Sequence, residues 1–230
     1  MIEKTLKTTT GKLRVKIPTH LNEVTLGQMI AMQEKPLLSD LDAISILSGI
    51  AIEELKNVCD VQDFDGFDEA VISLSNQIRH LYNSDDIPQT VAFIIGNKKV
   101  VIKVIRNLSV EPAGAFMAAR DIIADEINKH ISLHGQENWE EYFNPSLTAC
   151  CQVLAHYFFC KATGKKYSEY EVEEFCETIK TLRVTEALPI AKHFFMSYPN
   201  LSKQRTNFFR QFRQFWRKKR VYNHLKSLNI

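Results

Sequence analysis

The stretch TVAFIIGNKKVVIKVI, residues 90–105, does most to restrict what this chain can fold into. Two runs rich in β-branched residues flank Gly96-Asn97, a pair that tolerates positive φ and so suits a two-residue hairpin turn. Everything downstream carries a helical period. A second hairpin is expected over residues 2–17, where Ile2, Leu6, Leu13, Val15 and Ile17 alternate and TTTGK supplies a turn around Gly11, with Pro18 ending it.

Between and after the hairpins the punctuation is helical. Thr25 with Gln28, and Ser168 with Glu171, have capping-box spacing, and Ser39 and Gly49 bracket a short helix carrying Leu41, Ile44 and Leu47. Phe67, Val71, Leu74, Ile78 and Leu81 define a further helix. Asn107 or Ser109 is expected to open a helix through Phe116, Ala119, Ile123, Ile127 and Ile131, and Asn144-Pro145 to open LTACCQVLAHYFFCKATG. The expected fold class is therefore α+β, mainly helical: two β-hairpins near 2–17 and 90–105, about seven or eight helices, and a long basic aromatic C-terminal helix. The expected organisation is a body over 1–202, with a sub-boundary near 84–90, followed by that helix over 203–230.

Charge is sorted along the chain. From Lys203 onward there are nine Lys/Arg and no Asp/Glu, which leaves twenty basic against twenty-seven acidic side chains before it. Hydrophobic residues make up 45% of the 230, ample for a buried core, and no run is long and apolar enough to span a membrane. The N-terminus lacks the apolar stretch of a signal peptide, so an intracellular location is expected. Cys59, Cys150, Cys151, Cys160 and Cys176, odd in number and mostly within apolar helical stretches, read as reduced thiols.

Familiar catalytic signatures are missing: no phosphate-binding glycine loop ending in Lys-Ser/Thr, no G-x-G-x-x-G, no G-x-S-x-G and no H-E-x-x-H. The nearest calcium-loop pattern, VQDFDGFDEAVI, places Asp63, Asp65 and Gly66 correctly, but Val61 replaces the first ligand and Ile72 the closing glutamate. His130 and His134, four apart on one helical face, could supply two zinc ligands without an evident third. The expectation is a non-enzymatic protein without metal or cofactor.

The stretch NFFRQFRQFWRKKR, residues 207–220, is the candidate binding element. Phe208, Phe212 and Phe215 follow a helical stripe that Phe209 and Trp216 widen, while Arg210, Arg213, Arg217, Lys218 and Arg220 supply the basic side. Such a helix could pack on the acidic body, dock another chain, or bind nucleic acid or an anionic membrane surface.

Two stretches carry a resemblance. VKIPTHLNEVTLGQMIAMQ (15–33), with Ile17-Pro18 and Glu23-Val24-Thr25, and DLDAISILSGIAIEELKNV (40–58), with Ser48-Gly49-Ile50, resemble the opening of tail assembly chaperone-like proteins of tailed bacteriophages, particularly those of Bacteroidetes phages. Leu21 stands where that pattern carries an aromatic residue, and LPIAKHFFMSYPNL resembles the paired-Phe apolar helix near the end of such proteins. The resemblance implies a non-enzymatic tail or neck morphogenesis protein that works through protein–protein contacts, as assembly chaperone or virion subunit. Its expected partners are other phage tail or neck proteins or copies of itself in a ring, with the host cytoplasm and the virion as locations. The alternative is a nucleic-acid-binding accessory protein using the basic aromatic helix.

Overall fold

The computed structural model describes residues 1–81, 86–135, 137 and 139–197 of the protein, and the predicted C-terminal helix and its candidate residues Phe208 to Arg220 lie outside them. The described chain is α+β and mainly helical, with two separate antiparallel hairpins, as the sequence pattern predicts. In the first, β1 (Ile2–Thr8) pairs with β2 (Gly11–Ile17) so that Ile2 faces Ile17 and Leu6 faces Leu13, gathering the alternating apolar residues on one side. Its turn residues are Thr9 and Thr10, with Gly11 opening β2 rather than forming the turn. The β1 edge continues briefly onto residues 57–59, where Thr9 N donates to Asn57 O at 3.0 Å and Cys59 N to Lys7 O at 2.9 Å.

Helices α1 (Leu26–Gln33), α2 (Asp40–Ser48), α3 (Ile52–Leu55) and α4 (Asp65–Leu81) follow. The capping signals hold at both α1 and α2. Thr25 N donates to Gln28 Oε1 at 2.9 Å while Gln28 N donates back to Thr25 Oγ1 at 3.2 Å, and Gly49 closes α2 in the left-handed region at φ 74°. Gln28 has a second task that no spacing rule announces, since its Nε2 donates to Leu47 O at 3.0 Å and so satisfies a terminal carbonyl of α2.

The second hairpin joins β3 (Thr90–Ile95) to β4 (Lys98–Lys103), with Ile95 paired to Lys98 across a Gly96-Asn97 turn in which Gly96 has φ 59°. Then come α5 (Ala113–His134), α6 (Trp139–Tyr142), α7 (Leu147–Thr163), α8 (Glu169–Lys180) and α9 (Val184–Ser197). Two helix starts differ from expectation, and a third falls where expected without its capping box. Asn107 caps a 3-10 turn over Leu108–Val110, accepting from Ser109 N at 2.9 Å, and α5 begins only after Pro112, because proline disfavours helical geometry in the residue before it. The cap of α7 is Ser146, which accepts from Ala149 N at 3.3 Å, rather than Asn144. Ser168 occupies the cap position of α8 without forming its box, since Glu171 is drawn to Lys165 Nζ at 2.6 Å.

Helix α7 is the centre of the protein. It is apolar almost all round, burying Cys150, Cys151, Leu154, Tyr157, Phe158 and Phe159, so it needs cover on every side. That cover comes from α5, α8 and α9, with the second hairpin closing over Phe158. One contiguous core runs from Leu6 to Phe195 and draws on both sides of the 84–90 segment. Segments distant in sequence are joined through backbone: Leu26 N donates to Leu182 O at 2.8 Å and Val184 N to Val24 O at 2.9 Å, a bridge between Thr25 and Arg183.

Candidate interaction surface

The β3–β4 hairpin is built with two apolar faces, which a hairpin lying on a core does not need. Its inner face is Val91, Phe93 and Ile102, with Phe93 5.0 Å from Phe158 and 5.9 Å from Phe175 between ring centroids. Its outer face carries Ala92 opposite Val101 and Ile94 opposite Lys99, and there Ile94 is 74% and Val101 59% exposed. Among the described residues neither strand has a partner other than its mate, so each keeps one open edge.

This surface is held rigidly from below. The hydroxyl of Tyr157 on α7 accepts from Ile105 N at 2.7 Å and donates to Ile105 O at 2.8 Å, pinning the end of β4, and Val104 N donates to Gln89 O at 2.8 Å. A row of like charge frames the apolar centre: Lys98, Lys99 and Lys103 are exposed, and no acid stands between residues 90 and 103. A complementary surface would be apolar at its middle and acidic at its rim.

The body also presents charge of the opposite sign. On α8 the exposed residues Glu169, Glu173, Glu174 and Glu177 surround Tyr170, which is 73% exposed, and Glu177 is engaged by Lys180 at 2.8 Å. The outer face of the first hairpin is basic, with Lys7, Lys12 and Lys16 exposed and Arg14 paired to Glu3. Unlike surfaces thus occupy different elements of one chain.

The other groups singled out by sequence have structural settings. Asp63 lies in a 3-10 turn over Val61–Phe64 capped by Asp60, which accepts from Gln62 N at 2.9 Å, and Asp65 opens α4, so the calcium-like spacing falls on helical backbone. His130 and His134 stack with ring centroids 4.6 Å apart, and burial, with the neighbouring His134, holds the His130 imidazole below its ordinary pKa. Among the described residues no group of three or more His, Cys, Asp or Glu is placed to hold a metal ion. All five cysteines are free, Cys150 and Cys151 within the core and Cys59 exposed.

Sequence reading overlooked the outer hairpin face. The signal was present: in TVAFII and KKVVIK the residues Ile94 and Val101 have the opposite parity to Val91, Phe93 and Ile102, so the period-two pattern is apolar on both sides. Comparison with protein-family models, with curated proteins and with solved structures gives no match. No helix among the described residues is long and apolar enough to cross a membrane.

Proposed function

We propose that this chain is a non-enzymatic bacteriophage tail or neck morphogenesis protein acting through protein–protein contacts, either as an assembly chaperone or as a structural subunit of the virion. The observation that carries the contact reading is the rigidly mounted outer face of the β3–β4 hairpin, with Ile94 and Val101 in solvent among lysines. Its occupant is another protein of the particle whose surface is apolar at the centre and acidic at the rim. The phage context rests on the resemblance over residues 15–58, whose quoted residues have structural work here. Ile17 and Val24 are buried, Thr25 caps α1, and Gly49 ends α2.

Quantitative mass spectrometry of purified particles, and of cells infected by the phage, tests the reading. A fixed ratio to the portal protein supports a virion subunit; presence in infected cells alone supports a chaperone; absence from both overturns the proposal. Replacing Ile94 and Val101 together by Asp should stop particle assembly while the chain stays folded, and normal assembly with that variant would remove the hairpin as the dock.

A second reading is favoured by the basic outer face of the first hairpin, Lys7, Lys12 and Lys16, together with the nine basic residues after 202. As a nucleic-acid-binding accessory protein the chain should lose DNA affinity by orders of magnitude between low and moderate salt. A weak signal flat in salt would eliminate it.

A further inference from the structure

The interface between α7 and α8 holds chemistry that surface docking does not use. Cys151, on the core side of α7, is 3% exposed, and its Sγ lies 3.6 Å from the carbonyl oxygen of Cys176 on α8. The two residues therefore meet across the interface, with Cys176 half-buried and Cys151 within the core. Neither is in a disulfide.

Their surroundings divide the labour between them. The neighbouring Cys151 side chain and the ammonium of Lys180, one helical turn further on, hold the Cys176 thiol below its ordinary pKa, against burial and the carboxylates of Glu177 and Glu173. The same contact, added to burial, drives the Cys151 thiol far up. A half-buried cysteine set against a core cysteine on the facing helix is the arrangement of an attacking and a resolving thiol. Cys150, next along α7, is 1% exposed and is driven up chiefly by its burial.

We propose that Cys151 and Cys176 are a redox-active dithiol that closes to a disulfide between α7 and α8 on meeting a disulfide oxidant of the glutathione class. The Cys176 thiolate attacks one sulfur of the oxidant, forming a mixed disulfide and releasing one thiolate. Cys151 gives up its proton to that thiolate and attacks Cys176 Sγ, expelling the second thiolate, which takes up the proton lost from Cys176. Two protein thiols are oxidised by two electrons and one oxidant disulfide is reduced to two thiols. Closure ties the central helix to its neighbour without involving the hairpin surface, so this inference stands or falls separately from the proposed function.

The test uses the full-length chain equilibrated in buffers of rising oxidised-to-reduced glutathione ratio, quenched with an alkylating reagent, and read by intact mass and peptide mapping. The expected result is loss of two of the five alkylatable thiols, a Cys151–Cys176 linked peptide, and full reversal by dithiothreitol. The Cys151→Ser variant should stop at the glutathione adduct on Cys176, and Cys150→Ser should behave as the parent. Five thiols alkylated at the most oxidising ratio, or a linkage between other cysteines, would overturn the proposal. The parent peptide map decides the matter by itself if Cys151→Ser does not fold.

Discussion

The carboxylates Glu111 and Glu23 respond to their surroundings in opposite ways. The side chain of Glu111 is 3% exposed and is ion-paired with Lys161, whose Nζ also sits 3.9 Å above the Tyr157 ring centroid. Burial raises the Glu111 pKa and Lys161 pulls it back only in part, so the carboxyl takes up its proton at a higher pH in the folded chain than in the unfolded one. Lys161→Met strands that carboxylate and should cost about 3–5 kcal/mol at neutral pH. Because the unpaired acid is favoured when protonated, the variant should regain stability relative to the parent as pH falls through the raised Glu111 pKa, which urea melts at several pH values would show. Glu23 behaves conversely. The N–H of Thr19, 2.9 Å from its Oε2, holds its pKa down to about 2 from an ordinary 4.5, aided by the N-terminal ammonium and the N–H of His20. Its contribution is complete above about 4.5 and is lost as pH drops toward 2, so Glu23→Gln should flatten the acid limb of a plot of Tm against pH.

Packing between elements leaves some positions no room. A Cβ at Gly114, near the start of α5, would lie 2.7 Å from Cε1 of Tyr167, whose hydroxyl meets His156 Nδ1 at 3.0 Å. Gly114→Ala should therefore destabilise by about 1–3 kcal/mol, and Tyr167→Ala in the same chain should remove most of the added penalty, as a double-mutant cycle in urea would measure. Nothing in the sequence around Gly114 announces this, because Tyr167 is brought to it by the return of the chain after α7. Legibility follows that line throughout. Thr25, Ser39 and Gly49 act within four residues of themselves and could be read directly. The cap at Ser168 has the right neighbours, but Lys165 competes for Glu171, and the second bond of Gln28 reaches across to α2. Likewise the buried apolar face of β3–β4 was readable from its period, while the exposure of its other face depends on α7 and α8 lying on one side alone.

At the scale of the whole molecule, the two faces of that hairpin allow stability and the proposed association to be tested apart. Phe93→Ala removes a ring packed on Phe158 and Phe175 and should cost about 3–5 kcal/mol in denaturant melts. Ile94→Asp, directed into solvent, should shift stability by about 0.5 kcal/mol or less while abolishing assembly. A combined loss of folding and assembly in Ile94→Asp would place the outer face within the fold instead of at a contact. The bridge between Thr25 and Arg183 has a consequence in time. A ribosome makes residue 25 long before residue 183, so α1 leaves the exit tunnel without the segment its backbone pairs with. Val24 and Leu26 therefore stay without their backbone partners until residues 182–184 have been made, and a chain released before Val184 presents those residues to chaperones and proteases rather than to the segment they pair with.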